Sequence, residues 1–274
     1  MAKEKKPAKD TKKDANRYSR ILERIFTLRR KGTASLVPFA REDLAKAARH
    51  LGIAFPKNPG DIIYSYRYRS SPPRVIALTQ PAGMEWIIEG TGRAQYAFKL
   101  VKINRIVPDP AYLPIKVPEA TPEIIGAYAL SDEQALLAKV RYNRLIDLFL
   151  GLTAYSLQNH LRTTVKGIGQ IEIDEIYVGV DKTGSQFVVP VQAKGGNDQL
   201  SVVQARQDIM CCQEKFIPLV CRAVSAQFMA ADVIALFELT LSAGVVKVVD
   251  QRHYKLVPAD SITSEDLAAY RRKL

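Results

Sequence analysis

Two apolar stretches in the second half of the chain carry polar residues at strand spacing: IEIDEIYVGVD at 171–181 and FVVPVQAK at 187–194. Alternate side chains of a strand share a face, so Glu172 is predicted beside Asp174 and Gln192 beside Lys194. Four polar groups then converge on the ends of two neighbouring, otherwise apolar strands. An acidic strand followed by one ending in Gln-x-Lys suits metal-assisted hydrolysis of a phosphodiester.

Apolar positions are odd-numbered up to Ile173 and even-numbered from Ile176, so the pattern changes phase at Asp174–Glu175. A bulge there re-aims one acidic side chain, which makes Glu175 the alternative to Asp174. Gly195 and Gly196 follow the lysine and permit close backbone approach.

These strands need elements to hold them. Ser131 reads as an N-cap with Gln134 as its capping-box partner. A helical pattern runs on to Val165, predicted as two helices with a break near Gly151. Its apolar residues, among them Leu136, Val140, Leu148, Tyr155, Leu157 and Leu161, nearly encircle the second helix, which implies cover by a sheet and by a second subunit. Downstream, a helix is predicted from Asp198 to about Lys215, a strand at 219–228, and two strands in VIALFEL and VVKVVD. His253, Tyr254 and Lys255 open a short closing segment. The order is that of an α/β domain with a mixed sheet.

Upstream, apolar stripes predict helices over 16–31 and 41–53. Asn58 as N-cap, Pro59 at the first helical position and Asp61 at the third predict another helix, ending near Arg69. Residues 85–103 read as a hairpin around a Gly-Thr-Gly turn, with Arg93 near its tip. This part resembles winged-helix DNA-binding domains in element order and charge. The resemblance implies that Tyr64, Arg67, Tyr68 and Arg69 lie on or near a recognition helix, where arginine reads guanine and tyrosine touches phosphate.

The 274-residue chain has a formal net charge of +12, which favours a polyanionic partner. Lysines crowd the first 13 residues, so 1–15 read as a disordered basic arm ahead of a DNA-binding domain at 16–106. Five prolines between Pro108 and Pro122 mark a stiff linker over 107–130, leaving 131–274 as a second domain. No apolar run approaches the ~20 residues of a membrane span, and no signal-peptide core is present, so the expectation is a cytoplasmic protein away from membranes. Cys211, Cys212 and Cys221 have no histidine at zinc-ligand spacing and read as buried thiols.

The stretch IEIDEIYVGVDKTGSQFVVPVQAKGG resembles the active-site region of the PD-(D/E)xK nuclease superfamily, the restriction-endonuclease-like fold, over roughly residues 136–230. Asp174 matches its first acid and Lys194 its lysine. Gln192 stands where most members carry Asp or Glu, as in the Mrr-like branch. The resemblance implies a restriction-endonuclease-like core, a mixed central sheet flanked by helices, C-terminal to a winged helix-turn-helix domain. It also implies Mg²⁺ or Mn²⁺ held by Asp174, Gln192 and the carbonyl of Ala193, with Lys194 positioning the water. Gln192 removes one negative charge, so Glu172 or Glu175 is expected to restore it. In the family the preceding helix adds an acid; here that position falls within Gln158, Asn159 and His160.

The expected function is a type II restriction-like DNA endonuclease, acting as a homodimer, with any cognate methyltransferase encoded elsewhere. Two alternatives stand beside it: a non-catalytic DNA-binding regulator with a degenerate nuclease-like domain, and a nuclease for RNA or DNA ends.

Overall fold

The computed structural model describes residues 11–68, 72–102, 106–128, 133–195, 198–229, 232–242 and 244–271, with the backbone alone at 11–16, 64, 67 and 68. It divides into two compact units, 1–104 with 166–169, and 105–165 with 170–274.

The first unit contains α1 (Thr11–Arg29), β1 (Leu36–Ala40), α2 (Arg41–His50), α3 (Gly60–Tyr68), the single turn α4 (Arg74–Ala77), β2 (Met84–Gly92) and β3 (Gln95–Lys102). Its antiparallel sheet has the order β1-β3-β2. The helical stripe of α1 buries Ile21, Leu22, Ile25 and Phe26 against Trp86, Ile88 and Phe98 of the sheet. Phe26 meets Trp86 and Phe98 edge-on, with centroids 5.0 and 5.1 Å away. Asp43 on α2 reaches back to the Ala40 amide at 2.7 Å and accepts Arg29 at 2.8 Å, closing the helix start. Helix α1 begins at Thr11, so part of the expected disordered arm is helical; the rest of that arm lies outside the described residues. Strand β1 has no counterpart in the sequence expectations, because LVPFA is short and contains a proline.

The second unit begins with β4 (Ile115–Pro118), a strand inside the proline-rich stretch, which pairs in parallel with a strand near the chain end. Next come α5 (Glu123–Tyr128), α6 (Glu133–Tyr142), α7 (Leu145–Leu150), β5 (Thr153–Val165), β6 (Gly169–Val180) and β7 (Gln186–Lys194). After them stand α8 (Val202–Lys215), β8 (Val220–Cys221), β9 (Ala223–Phe228), β10 (Val233–Ser242), β11 (Val245–Val257) and α9 (Ser264–Arg271). The sheet order is β4-β11-β10-β9-β7-β6-β5, with the short β8 beside β7. It is mixed: β6 and β7 are antiparallel, and β7 and β9 are parallel, joined through α8.

One face of this sheet packs Val189, Val191, Val224, Ala226, Ile234 and Leu236 against α6 and α7. The other packs Ala223, Ala235 and Phe237 against α8, and Val188 and Ile176 against Cys212 of that helix. This architecture, a mixed central sheet flanked by helices, agrees with the coarse expectation.

The segment 153–165 corrects the expected second helix. Gly151, at φ +68°, ends α7 in a left-handed cap, and the Thr- and Val-containing run beyond it extends as edge strand β5. Tyr155 and Leu157, which fit a buried helical stripe, are 61% and 53% exposed. The break between α6 and α7 falls instead at Asn143, whose side chain accepts the Ala120 amide and donates to Thr121 and Lys139 O. The expected cap at Ser131 lies outside the described residues. His253, Tyr254 and Lys255 continue β11 rather than opening a separate segment.

Candidate active site

The ladder between β6 and β7 runs from Val180↔Gln186 to Glu175↔Val191. Beyond that rung the strands part, while β7 stays paired with β9 out to Lys194↔Gln227. Asp174 sits at the fork. Its Oδ2 accepts the Ala193 amide at 2.9 Å, so a carboxylate occupies a donor that a continued ladder would have used. Burial pushes the Asp174 carboxyl above the usual carboxylate range, opposed by the Ala193 amide and the Lys194 charge.

Gln192 is buried, and its side-chain amide spans the fork. Its Nε2 donates to Glu172 O at 3.1 Å, and its Oε1 accepts Gln204 Nε2 at 2.5 Å. Gln204 and Asp208 stand four residues apart on α8, on one helix face. Gln192 is also the hydrogen-bonding neighbour of Asp208, a carboxyl pushed well above its ordinary range by burial and raised further by Asp174. Asp208 Oδ1 and Ser225 Oγ are buried without a partner among the described atoms, and Ser225 lies opposite Gln192 on β9. Gln192 therefore belongs to a buried polar layer between sheet and helix, which its charged counterpart Glu would not enter without cost.

Glu175, the expected alternative acid, is turned away. It is wholly buried, accepting Arg141 Nε at 2.8 Å and Ser156 Oγ at 2.5 Å. Arg141 belongs to α6, so Glu175 faces the helix layer opposite α8. Glu172 is engaged as well. His160 Nδ1 lies 3.2 Å from its Oε1 and Arg162 Nε 3.1 Å from its Oε2, so two basic side chains already hold it.

Gln158, Asn159 and His160, where the position of the family's helix acid is expected, lie on β5 rather than on a helix. The helix preceding the strands is α6, and Glu133 in its first turn raises the Asp174 carboxyl by its charge. Sequence reasoning misses Glu133 because β5 reads as the helix before the strands. It misses Asp208 because one acid among the several polar residues of α8 carries no spacing signal.

Among the described residues no three His, Cys, Asp or Glu side chains converge as a metal-binding group. Mg²⁺ nevertheless needs few protein ligands, since it keeps several waters and is held by one or two carboxylates together with substrate phosphate. Asp174, with one oxygen on Ala193 and the other uncommitted to that bond, fits this role. The Gln192 oxygen is engaged by Gln204 and fits it less well.

In the first unit, Tyr64, Arg67 and Tyr68 fall on α3, and Arg69 lies outside the described residues. Arg93 is exposed at the β2–β3 turn, followed by Ala94 at φ +56°. The free cysteines 211 and 212 are buried on α8 and Cys221 is half-buried. Among the described residues no helix is long and apolar enough to cross a membrane. No protein-family profile, curated protein or solved structure matches this chain.

Proposed function

We propose that the chain is a metal-dependent DNA endonuclease of the PD-(D/E)xK kind, with Asp174 and Lys194 at the centre of its site. The observation that carries this reading is the fork itself: an acid and a lysine at the parted ends of two antiparallel strands. The surrounding order supports it, because α6 precedes the meander β5-β6-β7, and α8 leads to β9 parallel to β7. A divalent cation held by Asp174 would neutralise phosphate oxygens and acidify the attacking water. Lys194 steadies that water and the charge growing on the phosphoryl oxygens. Gln192 fixes the fork by bonding Glu172 O on one side and Gln204 on the other. Glu133 adds the second negative charge.

The first unit is read as a winged helix-turn-helix that binds DNA through α3 and the turn at Arg93. Its order α1-β1-α2-α3-α4-β2-β3, with α4 a single turn and β1 beside β3, supports that reading. Cutting both strands takes two sites, so a homodimer belongs to the proposal.

Supercoiled plasmid incubated with Mg²⁺, Mn²⁺ or EDTA tests it. Cleavage with metal and none with EDTA is expected; intact DNA under every divalent metal, with binding retained, rejects it. The second reading, a DNA-binding protein with an inactive nuclease-like unit, draws on one observation: the Gln192 oxygen is already bonded to Gln204.

A further inference from the structure

His160 has a backbone φ of +50° in the middle of β5. A left-handed residue other than glycine is strained and persists only where its surroundings hold it. Ser156 bonds Glu175, and Asn159, three residues on, accepts the Arg141 that bonds the same carboxylate. His160 and Arg162 both meet Glu172, at 3.2 and 3.1 Å.

Both basic side chains are largely open to solvent, 51% for His160 and 69% for Arg162. Glu172 takes the Nε and one terminal nitrogen of Arg162, leaving the other terminal nitrogen for a ligand. His160 is also within electrostatic reach of Asp174. Glu172 and Asp174 are two residues apart on β6, about 7 Å along a strand. That step is comparable to the one between neighbouring phosphates of a single DNA strand.

We infer that His160 and Arg162, oriented by Glu172, bind the backbone phosphate next to the one that is cut. The inference rests on the nuclease reading for the identity of the neighbouring site, and it gives Glu172 a positioning role in place of metal ligation. The remaining terminal N–H of the arginine is suited to a phosphate oxygen, and so is an imidazole that carries hydrogen on both ring nitrogens, Nδ1 for Glu172 and Nε2 for the phosphate.

Residue 160 can be changed without disturbing its backbone, because glycine and asparagine both accept positive φ. His160→Gly, His160→Asn, Arg162→Ala and Glu172→Gln are compared with wild type in the full-length protein. Two quantities are read: the affinity for a DNA duplex in Ca²⁺, and the cleavage rate at saturating DNA in Mg²⁺. For His160→Gly and Arg162→Ala an affinity loss of about 3–10-fold is expected, with the saturated rate within about 3-fold of wild type. The Arg162→Ala variant should also lower the slope of log affinity against log salt by about 1. Glu172→Gln should weaken DNA binding while leaving Mn²⁺ binding in the absence of DNA unchanged. Unchanged affinity in both His160 variants would show that the residue only shapes the strand, and a fall in saturated rate at unchanged affinity would make it a catalytic group; either result overturns the inference. If wild type cuts no DNA, the nuclease reading fails alone, since the affinity measurements still decide the phosphate contact.

Discussion

The Asp174 carboxylate accepts the Ala193 amide at 2.9 Å, replacing backbone pairing at the point where β6 and β7 part. One oxygen of the carboxylate thus holds the fork while its charge serves the site. Asp174→Asn keeps an acceptor for that amide but removes the charge. The variant should fold as wild type does and lose at least about 10²-fold in cleavage rate, the order of loss when one stabilising group leaves a transition state. Circular dichroism together with single-turnover cleavage checks both halves, and near-normal cleavage by Asp174→Asn would exclude Asp174 as the metal-binding acid.

Glu175 differs from Asp174 although the two are adjacent. Its partner Arg141 is one-third exposed while Glu175 itself is wholly buried, so removing the carboxylate leaves a guanidinium that is only one-third solvated. The hydrogen bond to Glu175 raises the Arg141 pKa. Breaking a buried pair costs about 3–5 kcal/mol, and the exposure of Arg141 places this one near the lower figure. Glu175→Gln is expected to lower Tm by several degrees and to cut DNA at a normal rate per folded molecule. Loss of cleavage at unchanged Tm would assign Glu175 to the chemistry instead.

The difference between these two acids shows where the sequence is readable. Strands β6 and β7 stand out because apolar alternation sets their limits and their polar ends. The change of phase at Asp174–Glu175 foreshadows the fork, but the side to which each acid turns depends on Arg141, 34 residues from Glu175. Strand β5 reads as a helix because Tyr155, Leu157 and Leu161 also fit a helical stripe, and only its edge position explains why Tyr155 and Leu157 stay exposed. That error moves the preceding helix by a whole element and hides Glu133. In the first unit the helices are legible from stripes and caps and the hairpin from its strands, but its turn falls at Arg93 and Ala94 while the expected Gly-Thr-Gly turn continues β2; β1 is five residues long with a central proline and depends on β3 for its identity.

Asp43 gives the first unit a pH dependence whose sign follows from its partners. Burial pushes its carboxyl up, but the Ala40 amide and the Arg29 guanidinium outweigh that and hold the pKa below its ordinary value. A carboxyl lowered in the folded state contributes stability above its unfolded pKa of about 3.9 and loses it as pH falls through the folded value. Asp43→Asn should therefore be less stable than wild type by about 1 kcal/mol at pH 7, the usual worth of a helix-start contact. The gap should close as pH falls through the acid range below about 4. Trp86, the single tryptophan of the chain, lies in the core of this unit, so its fluorescence during urea unfolding reads the difference directly. A gap that is constant from about pH 7 to about pH 3 would show that the side-chain shape, not the charge, matters at this position.

Arg93 projects into solvent from the turn between β2 and β3, where Gly92 and Ala94 bend the chain at positive φ. An exposed cation of this kind adds little to stability, so Arg93→Ala should leave Tm unchanged. Its effect should lie in DNA binding. Removing one cation that neutralises a phosphate of B-DNA reduces the slope of log affinity against log salt by about 0.9, whatever the sequence of the duplex. Removing a base-reading arginine instead costs about 1–3 kcal/mol on the preferred sequence and little on others. Titrating Arg93→Ala with two unrelated duplexes between low and moderate salt separates these outcomes. The exposed hairpin turn favours a phosphate partner, so an equal weakening on both duplexes with a shallower salt slope is the expected result. No change on either duplex would remove the turn from the DNA-binding surface and leave α3 to carry it.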